Sequence, residues 1–409
     1  MRQDSSTSKG AGVPALMFDR RELAGALGDI GVLLPLMAGL IIVCGVSAFM
    51  VFLLTGLVYI ASGTYFRLPV PVQPLKAMAA IAIAGGASAG EVAAGSMIMG
   101  AILLLTSVTG LASRLSRLFA PWTVKGVQLA VGLMLIQGSL SFIGIGGMAK
   151  WKGVAVPGLP PSAALAMAAG CLLLLFFLGR SRKFPVTLMI VGAGLTLGFF
   201  IAGHNVIGHL HLLGLGLPSL TLPSRAAFAA AFFLLVIPQI PVTFGNAVIA
   251  TADVSRNYFP KQSRRVTPRA LCASLGIANT VIGLLGGMPV CHGSGGMTAH
   301  YRLGARSGGA MVMIGALLVA MALLFGDSAV YAILMLPLPV LGALLFYVGV
   351  EHARLVLSLD SRFAILAAVL IGVVSLIWSN VALGMAVGLG FGFLAGTARL
   401  TRRLLSAPG

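Results

Sequence analysis

Acidic residues are scarce in this chain: nine Asp and Glu among 409 residues, against 27 Lys and Arg. Charged residues make up only 9% and hydrophobic ones 58%, whereas a soluble globule carries about a quarter charged residues. A soluble fold is therefore excluded. The four cysteines, Cys44, Cys171, Cys272 and Cys291, lie in apolar surroundings without C-x-x-C spacing, which argues against both disulfides and a zinc site. Paired carboxylates, a nucleophile beside a base, and metal-ligand clusters are missing at usable spacing, so neither an enzyme nor a bound cofactor or metal is expected. His204, His209 and His211 are loosely spaced with no acidic or Cys partner, and they read as a solvated loop. A cleavable leader is not expected either, because the first apolar run follows Arg20 and Arg21 and continues as a full span. Nor is a regulatory domain expected after the last span.

What the chain has instead is apolar length. Mean hydropathy is +1.04. Runs of spanning or near-spanning length fall at about 22–44, 46–66, 90–112, 121–143, 162–179, 184–203, 225–252, 268–285, 307–325, 328–350, 362–378 and 380–398, taking roughly 17–25 residues per helix. The net charge of +18 would suggest nucleic acid in a soluble protein. Here the basic residues concentrate in alternate short loops, which reads as topology with both termini cytoplasmic and no nucleic-acid partner. Lys150, Lys152 and Arg225 fall on the outer side, and Lys76 and Lys125 within spans.

Two interrupted segments, at about 68–86 and 287–305, bring the expected total to about fourteen spans. The stretch from Gly286 to Gly309 holds eight glycines in 24 residues between two apolar runs. Non-helical backbone at membrane depth is tolerated only where protein buries it or where it lines a cavity. Gly293, Ser294, Gly295 and Gly296 precede Met297-Thr-Ala-His-Tyr, which can start a short helix whose free N–H groups form an anion site. Its counterpart, Leu68-Pro-Val-Pro-Val-Gln-Pro-Leu-Lys-Ala77, is extended by its prolines, with Pro74 expected in the first turn of the helix that follows. One interrupted segment in each half points to a transporter's substrate site. Fourteen spans split into two inverted sevens. Weak repeats agree: Pro121 to Gly126 matches Pro337 to Gly342, and Met189 to Gly194 matches Met385 to Gly390. The expected fold is thus an all-α polytopic membrane protein with interrupted half-helices at spans 3 and 10, each preceded by a short extended segment.

Pro71-Val-Gln-Pro-Leu-Lys76 and Gly287-Met-Pro-Val-Cys-His-Gly-Ser-Gly-Gly-Met-Thr-Ala-His-Tyr-Arg302 resemble the two signature motifs of the molybdate transporter family, distant relatives of sulfate permeases. Glu22-Leu-Ala-Gly-Ala-Leu-Gly-Asp-Ile-Gly31 and Asn246-Ala-Val-Ile-Ala-Thr-Ala-Asp-Val254 are similar to that family as well. The resemblance implies a core domain (21–113 and 225–326) and a gate domain (114–224 and 327–398), with cytoplasmic tails at 1–20 and 399–409. It places the substrate between the facing starts of half-helices 3 and 10. The word molybdate comes from the resemblance alone.

The candidate substrate residues are Gln73, Pro74, Leu75, Lys76, Thr243, Asn246, His292, Gly293, Ser294, Gly295 and Gly296. Several keep a structural alternative. Thr243 and Asn246 serve the substrate or repair a helix broken by Pro238 and Pro241. Lys76 is a counter-charge for an anion, or it snorkels or pairs with Asp29. His292 binds or titrates, or it bonds broken backbone. In the nucleobase branch of the superfamily a carboxylate stands at about the place of Thr243, and its absence here suits an anion. Asp29 and Glu91 are the expected proton carriers. The expected partners are a small inorganic oxyanion, protons and the lipid bilayer of a bacterial inner membrane, and a homodimer is compatible with the sequence. Sulfate, tungstate or another small anion is the alternative substrate, and a membrane-embedded enzyme the remote alternative function.

Overall fold

The computed structural model describes residues 14–112, 114–115, 119–143, 160–179, 186–212, 220 and 222–405. The expected tail up to residue 13, the loop cations Arg117, Lys150, Lys152, Arg180, Arg182 and Lys183, and residues 406–409 lie outside this set.

The described chain is helical apart from two short strands. In order the elements are α1 (Arg20–Ala26), α2 (Ile30–Cys44), α3 (Ala48–Phe66), β1 (Gln73–Pro74), α4 (Lys76–Gly85), α5 (Ala89–Thr109), α6 (Pro121–Ile143), α7 (Pro161–Leu178) and α8 (Val186–Ile207). The second half follows with α9 (Arg225–Tyr258), α10 (Pro268–Leu285), β2 (Val290–Cys291), α11 (Ser294–Arg302), α12 (Gly309–Phe325), α13 (Ala329–Leu334), α14 (Leu338–Ala353), α15 (Arg362–Ile377) and α16 (Val381–Leu405). Among the described residues, nine helical stretches are long and apolar enough to cross a membrane. Shorter apolar helices stand at Lys76–Gly85, Val186–Ile201, Arg362–Ile377 and Val381–Leu394.

Most expected spans are met within a few residues, and 121–143 and 268–285 coincide with α6 and α10. Three details differ. The run at 328–350 is not one helix: α13 ends at Leu334 and α14 starts at Leu338. Pro337 forces its predecessor out of the helical region and has no N–H to give, so the chain turns before restarting. The first span is jointed at Leu27–Asp29 by a tighter turn. The span that begins at 225 continues to Tyr258, carrying wider π-type turns at Ala231–Val236 and Thr243–Ala250 on either side of Pro238 and Pro241, as expected where prolines remove ladder donors.

The packing follows the inverted repeat. Spans 2 and 11 (α3 and α12) pack together, as do spans 9 and 4 (α10 and α5), and exchanging the two halves turns one pair into the other. Both contacts are made by small residues. A Cβ on Gly56 would lie 2.7 Å from the Gly315 carbonyl oxygen, and one on Gly276 would lie 2.8 Å from the Leu104 amide nitrogen. Gly56 and Gly63 occupy the same places along α3 as Gly276 and Gly283 along α10. Without a hydrophobic drive between helices in lipid, such backbone approach is how spans associate. Span 12 (α14) packs on span 5 (α6) in the same self-symmetric way.

A clamp ties the two halves at one end. Glu22, 1% exposed, accepts the amides of Arg306 and Ser307 at 2.8 and 2.9 Å and of Ala310 at 3.2 Å. These N–H groups precede or open α12 and have no carbonyl of their own to find. A carboxylate there is also favoured by the helix dipole.

Candidate functional site

The two interrupted segments meet. β1 and β2 pair antiparallel, Gln73 opposite Cys291 and Pro74 opposite Val290, and the Leu75 amide donates to the Pro289 carbonyl at 2.9 Å. Each extended arm thus satisfies backbone that no water could reach. Asn279 of α10 completes the seal: its Oδ1 accepts from the Val290 amide, and its Nδ2 donates to the Val290 carbonyl, both at 2.8 Å. Pro74 lies in the strand rather than in the first helical turn, and α4 begins at Lys76 after the extended Leu75. Cross-strand pairing outweighs the helix-start preference because the carbonyls on both sides of Pro74 need partners. Cys291 Sγ stands 3.2 Å from the Pro74 carbonyl.

α4 and α11 each start directly after this crossing, and first-turn residues of both, Lys76, Gly295 and Gly296, line one cavity. Gly293, extended, precedes α11 and Ser294 is its first residue. Gln73 is 1% exposed, donates from Nε2 to Asp29 and leaves Oε1 without a partner. Its seat requires glycine opposite: a Cβ on Gly296 would lie 2.7 Å from Gln73 Nε2, and one on Gly293 would collide with Gln73 Oε1. A Cβ on Gly295 would meet nothing within 4 Å.

α9 closes one side. Gln239 Oε1 accepts the Met78 amide, a first-turn donor of α4, and Gln239 Nε2 donates to Thr243 Oγ1, both at 2.9 Å. Ser294 Oγ donates to Asn246 Oδ1 at 2.6 Å. Asn246 therefore bonds the start of α11 directly, Thr243 reaches α4 only through Gln239, and the Ser294 proton is committed to Asn246.

His292 is held on both nitrogens. Nδ1 lies 2.7 Å from the Pro71 carbonyl, which can only accept, so Nδ1 carries the proton and Nε2, 3.0 Å from Ser274 Oγ, accepts. Phe66 stacks edge-on against the ring. This is the backbone-bonding alternative for His292. Glu91 stands apart from the crossing, in a capping box with Ser88 at the start of α5.

A cavity of about 340 Å³ opens beside the crossing. One wall is Asp29, Gln73, Lys76, Gly295 and Gly296, and the opposite wall is Leu344, Tyr347, Val348, Glu351 and His352 of α14, with Thr187 of α8. Lys76 is 7% exposed and has no carboxylate within ion-pair distance among the described residues. Asp29 acts on it only at longer range. Asp29 is 3% exposed and His300, on α11, is fully buried. His300 Nδ1 is bonded to the Gly25 carbonyl at 2.7 Å, and its Nε2 has no partner.

Of the expected residues, the structure brings together Asp29, Gln73, Lys76, Gly295 and Gly296 at one wall, with Gly293 against Gln73 and Asn246 bonded to Ser294. Glu22, Gln239, Asn279, His300 and the α14 wall were not singled out by sequence. Tyr347 and Glu351 did carry a signal, since polar residues four apart on an otherwise apolar span share one face, and His352 follows directly on that face's edge. Gln239 sits between two prolines, where freed backbone calls for a polar side chain.

Comparison with known proteins agrees with this arrangement. A family model described as "Molybdate transporter of MFS superfamily" matches residues 21–135 and 231–351. Molybdate transporter 2 of Arabidopsis thaliana is 30% identical over 90% of this chain and 85% of its own length. Molybdate transporter 1 of Chlamydomonas reinhardtii is 30% identical over 90% of each chain. Among solved structures, the transmembrane domain of a cyanobacterium bicarbonate transporter superposes with a TM-score of 0.64 at 15% identity, covering 91% of this chain and all of that one. The murine solute carrier 26 family member A9 anion transporter in its inward-facing state gives 0.64 at 16%, over 97% of this chain and 74% of that one. The fold is thus that of the sulfate-permease-like carriers, and the relatives aligned over most of the length are transporters rather than enzymes. On the family match over most of its spans and the near-complete alignment with its plant and algal relatives, this chain, an integral membrane protein, belongs to the molybdate transporter family.

Proposed function

We propose that the protein is a secondary active transporter of a tetrahedral oxyanion, molybdate in the first place, carried together with protons. The observation that supports this most is Lys76: a nearly buried ammonium without an ion-pair partner among the described residues, opening a half-helix and lining a cavity shared with the start of the other half-helix. An isolated buried cation is costly, and an anion held between two helix starts would offset that cost. Sulfate and tungstate remain rivals, because amide donors and one ammonium do not separate oxyanions of equal charge.

In this reading the chain crosses the membrane fourteen times, with both termini on the cytoplasmic side of the bacterial inner membrane. Core (21–113 and 225–326) and gate (114–224 and 327–398) move against each other around the cavity, giving alternating access. Labelling from either side should then reach residues near Lys261 from inside and residues near His209 from outside. Both loops on one side would overturn the orientation.

Voltage argues for coupling. Moving a dianion inward against about 100 mV, interior negative, costs about 4.6 kcal/mol, so accumulation needs about two co-transported positive charges merely to cancel the electrical term. Asp29 is the carboxylate on the half-helix wall of the cavity, and Glu91 the more remote carrier. The deciding measurement is uptake of labelled molybdate by proteoliposomes with and without an inward proton gradient, with sulfate and tungstate as competitors. Gradient-stimulated uptake abolished by protonophore is expected. Absence of uptake of all three anions would reject the function, and uptake indifferent to pH and protonophore would reject the coupling.

A further inference from the structure

The α14 wall of the cavity carries a group that the anion cradle lacks. His352 faces the same cavity as Lys76 and Asp29. Its Nδ1 lies 3.0 Å from the Val348 carbonyl one turn back, and because a carbonyl only accepts, Nδ1 holds a proton in either charge state. The ring's orientation is therefore fixed by its own helix. Nε2, which makes no hydrogen bond among the described residues, is the position where a proton is gained or lost.

The charges around the cavity can be counted. Lys76 contributes one positive charge and Asp29 one negative. Glu351 is offset by Arg354 on its own helix, 2.9 Å away. Tyr347 is a neutral phenol, and His300 lies behind Asp29. Among the described residues that line the cavity no further ionisable group stands on this wall; α6, which also packs on α14, carries the half-buried Lys125 outside that lining. Thr187 represents α8, α7 holds none but Cys171, and α6 meets the end of α14 through Gly132, where a Cβ would touch Ala353. Among these described groups the charges nearly balance, and a dianion would leave them two charges short. Protonating Asp29 removes a negative charge, and protonating His352 adds a positive one. Together they close the deficit.

We propose that His352 is the second arm of the oxyanion site: a proton on its Nε2 donates to the bound dianion from the α14 wall, opposite Lys76, so that the anion draws the two walls together only when that proton is present. This rests on the transport function proposed above and adds to it the identity and place of one coupling proton. The proton travels with the substrate because the imidazolium and the anion stabilise each other, and it leaves when the anion does. It also gives the gate a reason to follow the substrate, since His352 and the half-helices sit on opposite sides of it.

The test is calorimetric titration of molybdate into purified full-length protein in buffers of different ionisation enthalpy, at about pH 5.5 and about pH 7.5, on either side of the ordinary imidazole range. For the wild type, binding at about pH 7.5 should take up protons, and affinity should rise as pH falls. His352→Gln, which keeps an N–H group but cannot titrate, should take up about one proton fewer, bind about tenfold or more weakly at the lower pH, and lose most of the pH dependence. His352→Arg, a fixed cation, should bind at about pH 7.5 nearly as the wild type does at about pH 5.5. Gel filtration and thermal unfolding establish that each variant is folded. A folded His352→Gln with wild-type proton uptake and pH profile overturns the proposal and leaves the transport function standing. If His352→Gln does not fold, proton uptake by His352→Arg equal to the wild type's does the same. If the wild type binds neither molybdate nor tungstate nor sulfate, both readings fall together.

Discussion

Lys76→Met should bind molybdate at least about a hundredfold more weakly than the wild type while unfolding at the same temperature or higher. The methionine keeps the length of the stem and most of its packing, so α4 still starts where it does. What disappears is a buried charge with no ion-pair partner among the described residues, whose removal costs the folded protein nothing in lost contacts. Two unit charges about 4 Å apart at an effective dielectric constant of about 20 attract by about 4 kcal/mol. A dianion doubles this, and desolvation of both partners takes back part of it. If a third survives, the loss is near 2.7 kcal/mol, or about a hundredfold at about 1.4 kcal/mol per decade. Lys76→Arg should recover part of the affinity, because its charge is kept but its planar fork suits the narrow start of α4 less well. Equilibrium binding on folded protein decides. Wild-type affinity in Lys76→Met would mean that Lys76 does not face the substrate.

Gly295→Val should abolish binding and uptake without harming the fold, which separates the cavity from its support. A Cβ at Gly295 meets nothing within 4 Å, and valine is a slightly better helix former than glycine, by a few tenths of a kcal/mol. Yet Gly295 lines the cavity, and the added methyls would stand where an oxyanion must approach the amides of α11. Gly296→Ala makes the contrast. Its Cβ would lie 2.7 Å from Gln73 Nε2 and 3.0 Å from Pro71 Cγ, so it displaces the side chain that links β1 to Asp29 and should lower thermal stability as well as binding. Uptake by Gly295→Val at the wild-type rate would show that the substrate does not reach the start of α11.

Sequence alone determined the membrane class, most helix boundaries to within a few residues, the two breaks and the family, because each depends on local chemistry. Apolar runs have a length set by the bilayer, dense Gly and Pro clusters such as 68–75 and 286–293 interrupt helices, and the motifs are contiguous. Gly293 to Gly296 could be recognised as a helix start, and Gln73 and Lys76 as polar residues out of place at depth. Tertiary structure alone decided which alternative each polar residue takes. Pro74 entered the strand because Val290 lay opposite it, and His292 was turned to backbone by Pro71 and Ser274, which stand far from it in sequence. Ser294 was tied to Asn246, and Glu91 was kept in its own capping box away from the cavity. The wall formed by Glu351 and His352 comes from α14, across the cavity from Lys76 and Asp29. A cavity is a relation between surfaces that packing brings together, and a charge balance belongs to that packing, so no single stretch of the chain carries either one.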